Sequence, residues 1–301
     1  MTRAEHARIV ELRPRRSRSR AAVISLRPRQ WSKNLLLFAG IVFAAKLGDA
    51  VRWGEAAAIF VAYCAASSAA YLVNDLRDAA DDRLHPVKRY RPIARGELQP
   101  EHALVLAAVL AAGALAIAAA LGFASLLLLL AFVALQLGYS LGLKRIVFVD
   151  VLVIAGLFVI RAAAGAAAVH VPISGWLLAC TALLALFLGL AKRRGELVLV
   201  HAAATPGRPA LAGYSLGLVD VLLNAVAAAT AGAYALYAVA AHSAWMALTV
   251  PFVVVGLGRY LFLVHRHDLG EEPEHVLLSD RVILGAVAGW AVVSAVVLAV
   301  R

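Results

Sequence analysis

The chain reads as long apolar runs broken by short polar stretches. The runs fall near residues 34–47, 55–73, 101–120, 122–141, 147–169, 173–191, 214–241, 244–264 and 281–300. The first is short, with Trp31 placed to anchor it at an interface. Several others reach the length of roughly 18 or more residues that takes a helix across a bilayer. They are continuous and rich in Ala and Leu rather than alternating, which argues for helices and against a barrel of strands. Gly122 and Gly142 mark turns between runs and Pro172 opens one. The pattern predicts an all-α, polytopic membrane protein with about nine transmembrane helices.

Composition agrees: 63% of the 301 residues are hydrophobic. The net charge of +11 would suit nucleic acid if it were spread, but it is not. Of 29 Lys and Arg, 24 fall before the first run, in the even-numbered loops or at their flanks, while Lys46, Arg52 and Arg301 lie opposite. This bias places the N-terminus and the even loops in the cytoplasm, with the C-terminus outside. The basic residues are topology signals and candidate ligands for anions, and nucleic acid is not an expected partner. Residues 1–25, with RPRRSRSR, read as a basic, disordered cytoplasmic tail, and 26–301 as the membrane domain. No signal-peptide cleavage site stands out. Cys64 and Cys180 both sit inside apolar runs and read as small core residues. YSLGL occurs twice, at Tyr139 and at Tyr214.

The second run ends in NDLRDAADDRLHP, which begins at Asn74. If the helix continues to His85-Pro86, then Asn74, Asp75, Asp78 and Asp82 share one face and Asp81 leaves it. Clustered carboxylates repel unless a cation lies between them, and a few hard oxygens suit Mg²⁺ that also binds phosphate. A solvated helix end is the plain alternative, but acids at a membrane boundary are costly. KRYRPIAR follows at once, bringing Lys88, Arg89, Arg91 and Arg95. Acids for a metal beside bases for phosphate describe a site for a metal-bound diphosphate.

Three further basic sets face the same side: Arg27, Arg29, Lys33 and Asn34; Tyr139, Lys144 and Arg145; and Lys192, Arg193, Arg194 and Glu196. Arg161 is different, lying in mid-run among Ala and Gly, where it requires a partner or a wet cavity. Asp150 is eleven residues away, too far along a helix to pair with it. The stretch HRHDLGEEPEHVLLSDR has no structural-zinc spacing and reads as a solvated, lid-like loop.

NDxxDxxxD after the second of about nine helices resembles the signature of the UbiA superfamily of intramembrane prenyltransferases. Together with RPRQWSKN, YSLGLKR, IRAAAGA, AKRRGEL and LGEEPEHVLLSDR, the chain from about Leu26 onward resembles the branch that transfers phosphoribose to a polyprenyl phosphate. That resemblance implies a UbiA-like bundle around a central cavity open to the cytoplasm, in the inner (plasma) membrane. It implies 5-phosphoribosyl 1-diphosphate as donor, polyprenyl (decaprenyl) phosphate as acceptor and Mg²⁺ as cofactor, in a step toward cell-wall arabinan. On that basis Asn74, Asp75, Asp78 and Asp82 hold the metal. Lys88, Arg89 and Arg91 meet donor phosphates, and Tyr139, Lys144, Lys192 and Arg193 complete the clamp. Arg161 and Arg27 or Lys33 receive the acceptor phosphate.

The chain departs from many superfamily members in lacking a second Asp-rich motif, since Asp150 is the lone acid there. A prenyl diphosphate donor with an aromatic or other acceptor is the alternative reading, and a transporter or anion channel is a more distant one. Self-association into a homo-oligomer is left open by the sequence.

Overall fold

The computed structural model describes residues 15–43, 48–85, 87–203, 209–242, 244–270 and 273–299, and among these there are helices and no strands. In chain order the α-helices are α1 (Arg18–Ser25), α2 (Ala39–Phe43), α3 (Ala50–Arg77), α4 (Ala79–Leu84), α5 (Pro100–Ala120) and α6 (Phe123–Leu141). They continue with α7 (Val149–Ala168), α8 (Gly175–Ala203), α9 (Leu216–Tyr237), α10 (Val250–His267), α11 (Pro273–Ser279) and α12 (Arg281–Ala299).

Seven stretches among the described residues are long and apolar enough to cross a membrane. They lie on α3, α5, α6, α7, α8, α9 and the 245–267 stretch that contains α10, while α12 supplies a shorter apolar stretch at Arg281–Val297. The first of the nine expected runs is not a straight α-helix of that kind. It winds as a 3₁₀ helix over Pro28–Phe38 and then forms the short α2, and residues 44–47 lie outside the described set.

Close backbone packing accompanies this winding. A Cβ on Gly165 would stand 2.0 Å from the Leu37 carbonyl oxygen, and one on Gly40 would stand 2.7 Å from the Ala166 nitrogen. The small residues of α7 therefore let the neighbouring segment lie directly on its backbone.

Order also begins earlier than residue 26. Ser17 caps α1 by accepting from the Arg20 N–H, and Ala21 and Ser25 are buried. Residues 1–14 of the expected tail lie outside the described set.

The chain divides into two compact units, Met1–Leu35 with Ala58–Leu129, and Leu36–Ala57 with Leu130–Arg301. The first unit is cored by Ala21, Ala69, Leu72, Ile93, Leu98 and Ala103. In the second, α8 packs on α7 and α9, around Phe187, Leu223, Tyr260 and Val264. Cys64 is buried and accepts a hydrogen bond from Asn34 Nδ2 at 3.2 Å, as suits a core thiol.

The stretch expected to be a lid-like loop is largely helical. His265 and His267 end α10, and α11 follows. Asp268, in the left-handed region at φ 53°, caps α10 and accepts from Arg194 Nη1 at 2.7 Å. A Cβ on Gly270 would stand 2.3 Å from the Ala191 carbonyl oxygen, so this turn lies on α8. The side chains of residues 271–275 lie outside the described set.

Candidate active site

In the first unit the acidic stripe is bent. The helix does not run through to residue 85: α3 ends at Arg77, Asp78 takes φ −88° and ψ 4°, and α4 starts at Ala79. The irregularity is confined to one residue, since the Asp78 N–H still donates to the Asn74 carbonyl at 2.9 Å and the Asp78 carbonyl accepts from the Asp82 N–H at 2.8 Å. Asp75 and Asp82 are 2% and 3% exposed. Arg91 Nη1 donates to both, at 3.1 Å to Asp75 Oδ1 and 2.7 Å to Asp82 Oδ2. Arg27 Nη2 adds a 2.6 Å bond to the same Asp75 oxygen.

Asp78 belongs to a different group. It accepts from Arg77 Nε at 3.0 Å and from Asn74 Nδ2 at 3.1 Å, and its side chain keeps partial exposure. Among the described residues no three acidic, imidazole or thiol groups converge on one cation-sized point. Two carboxylates do reach a common position, the one that Arg91 Nη1 takes.

The arginines are themselves held. Arg27 has φ 53°, a strained value for a non-glycine residue, and its guanidinium lies 4.6 Å over the Tyr71 ring. Arg91 is delivered by the turn Lys88–Tyr90, whose start is fixed when His85 Nδ1 accepts the N–H groups of Val87 and Lys88, each at 3.2 Å. Partial desolvation and the nearby Lys88 lower the His85 pKa, so the ring is neutral and able to accept at pH 7. Lys88 itself is exposed, and Arg89 stacks 5.2 Å over Tyr90. Lys33 lies half-buried in the 3₁₀ stretch.

A second cluster lies in the other unit. Asp150 is fully buried in the first turn of α7 and accepts from the Tyr214 hydroxyl at 2.6 Å. Arg193, 1% exposed, has Nε 3.1 Å from Asp150 Oδ2, an ion pair poorly aligned as a hydrogen bond, and also pairs with Glu196. Its Nη2 is buried without a hydrogen-bond partner among the described residues. Tyr214 accepts in turn from the Phe148 N–H at 2.8 Å, which holds Phe148 at φ 63°. Burial and the bond to Asp150 push the Tyr214 hydroxyl well above the ordinary tyrosine range, so it remains a donor.

Tyr139 ends α6, Lys144 lies in the 143–145 turn and Lys192 in α8, all half-buried. Arg161 is buried. It donates to the Leu157 carbonyl at 3.0 Å and lies 4.5 Å over the Phe132 ring and 5.5 Å over Phe158. Aromatic faces and a backbone carbonyl thus offset its charge.

Two participants escape a reading of the sequence. Tyr214 carried one signal, the repeated YSLGL. Glu97, buried between Arg16 at 3.4 Å and Arg95 at 3.2 Å, carried none.

Fold and chemistry together define an integral membrane protein with buried acid–arginine clusters. The model of the UbiA prenyltransferase family matches residues 35–280, and the chain belongs to that family. It is 36% identical over 278 residues to "Decaprenyl-phosphate phosphoribosyltransferase" of Mycobacterium tuberculosis, covering 89% of this chain and 91% of that one. The protein of that name from Mycolicibacterium smegmatis is 34% identical over 283 residues, 88% of each chain. Among solved structures, a UbiA homolog from Archaeoglobus fulgidus bound to GPP and Mg²⁺ shares the fold, with a TM-score of 0.69, 20% identity and coverage of 93% of this chain and 97% of that one.

Proposed function

We propose that this protein transfers 5-phosphoribose from 5-phosphoribosyl 1-diphosphate to a polyprenyl phosphate of the decaprenyl type. The product is polyprenylphosphoryl-5-phosphoribose, a precursor for cell-wall arabinan. The observation that carries this is the end-to-end similarity, over about nine-tenths of both chains, to relatives named for that activity. The acceptor is a lipid, which suits a chain with seven apolar helices of spanning length among its described residues. The donor is a soluble polyanion, which suits acids and arginines on the basic, cytoplasmic side of the inner membrane.

A phosphate oxygen of the acceptor attacks C1 of the ribose, the bond from C1 to the diphosphate oxygen breaks, and diphosphate leaves with the electron pair. That acceptor oxygen is already anionic, so no general base is needed. Negative charge builds on the departing diphosphate, and this is where fixed cations lower the barrier most.

A divalent cation fits the residues present. Arg91 Nη1 already lies within 3.1 Å of one carboxylate oxygen and 2.7 Å of another, so one positive centre reaches both acids. Asp75 and Asp82 would hold Mg²⁺, and Asp78 with Asn74 would stand as further oxygen ligands only by leaving their present partners. When bound, the ion neutralises the leaving diphosphate.

The chain's own cations do the rest. Arg91, Arg89 and Lys88 share the diphosphate charge or hold the 5-phosphate. In the second unit, taken by itself, Arg193 is paired with Asp150 and Glu196 and keeps Nη2 without a hydrogen-bond partner among the described residues, which makes it, with Tyr139, Lys144 and Lys192, that unit's candidate for a donor phosphate. For the acceptor phosphate the candidates are Arg27 or Lys33 in the first unit and, separately, Arg161 in the second.

The test is direct. Purified protein with labelled 5-phosphoribosyl 1-diphosphate, a polyprenyl phosphate and Mg²⁺ yields a chloroform-soluble labelled product that EDTA abolishes. No such product, with turnover of a prenyl diphosphate instead, overturns this reading in favour of a prenyl donor.

A further inference from the structure

A cavity of about 430 Å³ opens beside the start of α5, lined by Arg15, Arg16, Arg18, Gln99 and His102, with Leu106 on its wall. It shares none of the residues assigned above to the donor or acceptor. Its charge is lopsided. Glu97 is the one acid on its wall, and it is already engaged by Arg16 and by Arg95. Arg16 is further fixed by donating to the Tyr90 carbonyl at 3.3 Å. The guanidiniums of Arg15 and Arg18 have no intramolecular partner among the described residues.

The floor adds to this field. Gln99 precedes the 21-residue α5 and makes no side-chain cap bond, and Pro100 opens the helix. The N-terminal end of α5 therefore carries no side-chain cap, its first turn also holds Glu101, and the arginines supply most of the positive field. The remaining wall is apolar, with Ala22, Leu98 and Leu106. Onward from the cavity, α5 is a spanning stretch that exposes Leu104, Val105 and Val109.

We propose that this cavity seats the phosphate head group of an anionic membrane phospholipid, with its acyl chains running along the exposed face of α5. Guanidiniums and an uncapped helix start recognise phosphate. The apolar wall and the continuous apolar helix face favour a phosphate attached to hydrocarbon over one free in water. Basic pockets at the ends of membrane helices are established head-group sites in general. The inference rests on α5 spanning the membrane and not on the transfer reaction.

The test uses full-length protein purified in neutral detergent. Wild type and the Arg15→Gln/Arg18→Gln double variant are each mixed with phosphatidylglycerol, phosphatidylcholine or glycerol 3-phosphate, and retained ligand is read by native mass spectrometry. Both changed positions are exposed and the variant spares Arg16, so it folds, as detergent size exclusion verifies.

Wild type should retain phosphatidylglycerol in preference to phosphatidylcholine, and the double variant should lose that preference by about tenfold or more. An Arg29→Gln/Arg266→Gln variant, which removes equal charge at exposed positions outside the cavity, should keep it. Turnover measured in phosphatidylcholine should be the same in wild type and the Arg15/Arg18 variant. Equal retention of phosphatidylglycerol by wild type and that variant overturns the proposal. So does equal loss in the Arg29/Arg266 variant. Glycerol 3-phosphate binding as tightly as the lipid would also overturn it, by making the ligand a soluble phosphate. Lipid retention is read without turnover, so its failure is distinct from failure of the proposed reaction.

Discussion

Arg91 allows a sharp prediction about what holds the acidic cluster together. One nitrogen, Nη1, serves Asp75 at 3.1 Å and Asp82 at 2.7 Å. Asp75 has a second cation in Arg27, but the Asp82 carboxylate has no other hydrogen-bond or ion-pair partner among the described residues. Arg91→Ala therefore strands one buried carboxylate completely and weakens the hold on another. Breaking a buried pair costs about 3–5 kcal/mol. Arg91 is 24% exposed, so water reaches the vacated site and the cost falls to the bottom of that range or just below it, about 2–3 kcal/mol. For a chain of this size that is a fall of roughly 5 °C in apparent melting temperature.

Because a single nitrogen makes both contacts, the planar fork of arginine is not used, and a lysine ammonium can take the same place. Arg91→Lys should recover most of the loss, to within about 1 kcal/mol of wild type. The assay is thermal unfolding in one detergent, followed by tryptophan fluorescence, at pH 7. A lysine variant as unstable as the alanine variant, or an alanine variant as stable as wild type, would refute the shared-nitrogen argument.

Other expectations follow from the two clusters. Asp75→Asn and Asp82→Asn should each reduce phosphoribosyl turnover by at least about 10²-fold while the protein still elutes as a single species, because charge on the leaving group loses its counterion. Asp78→Asn should lose turnover with little change in melting temperature, since Asp78 is the half-exposed acid of the set. Tyr214→Phe removes one donor to Asp150 and one acceptor for the Phe148 N–H, which should cost about 1–3 kcal/mol and raise the donor KM more than it lowers kcat; unchanged stability and KM would count against the network. His85 has a lowered pKa in the folded protein, so its stabilising contribution is complete above the ordinary histidine value of about 6.5 and is lost as pH falls through the lowered one. Turnover should therefore fall on the acid side, and His85→Asn, which still offers an acceptor to Val87 and Lys88, should flatten that limb of the pH–rate profile.

Periodicity and charge carried most of the architecture, and the residues where they fell short share a cause. The apolar runs are long enough to fix helix type without tertiary information, so α3, α5 to α7 and α9 lie close to where the runs place them, while α8 continues past residue 191 to Ala203. The run at 34–47 is just as apolar, yet its winding is accompanied by contact with the bare backbone at Gly40 and Gly165, and no single segment reveals such a contact. The acidic stripe shows the same limit at the site. Helical spacing put Asn74, Asp75, Asp78 and Asp82 on one face, but it does not assign their partners. In the structure Asp75 and Asp82 share Arg91, while Asp78 accepts from Arg77 and Asn74. A run of alternating acids and bases cannot say which acid takes which base, since every pairing is electrostatically favourable and only the fold selects one. Glu97 is the extreme case. In sequence it is a lone acid in a basic loop, and in the structure it is the buried centre that ties Arg16 to Arg95 across 79 positions of chain.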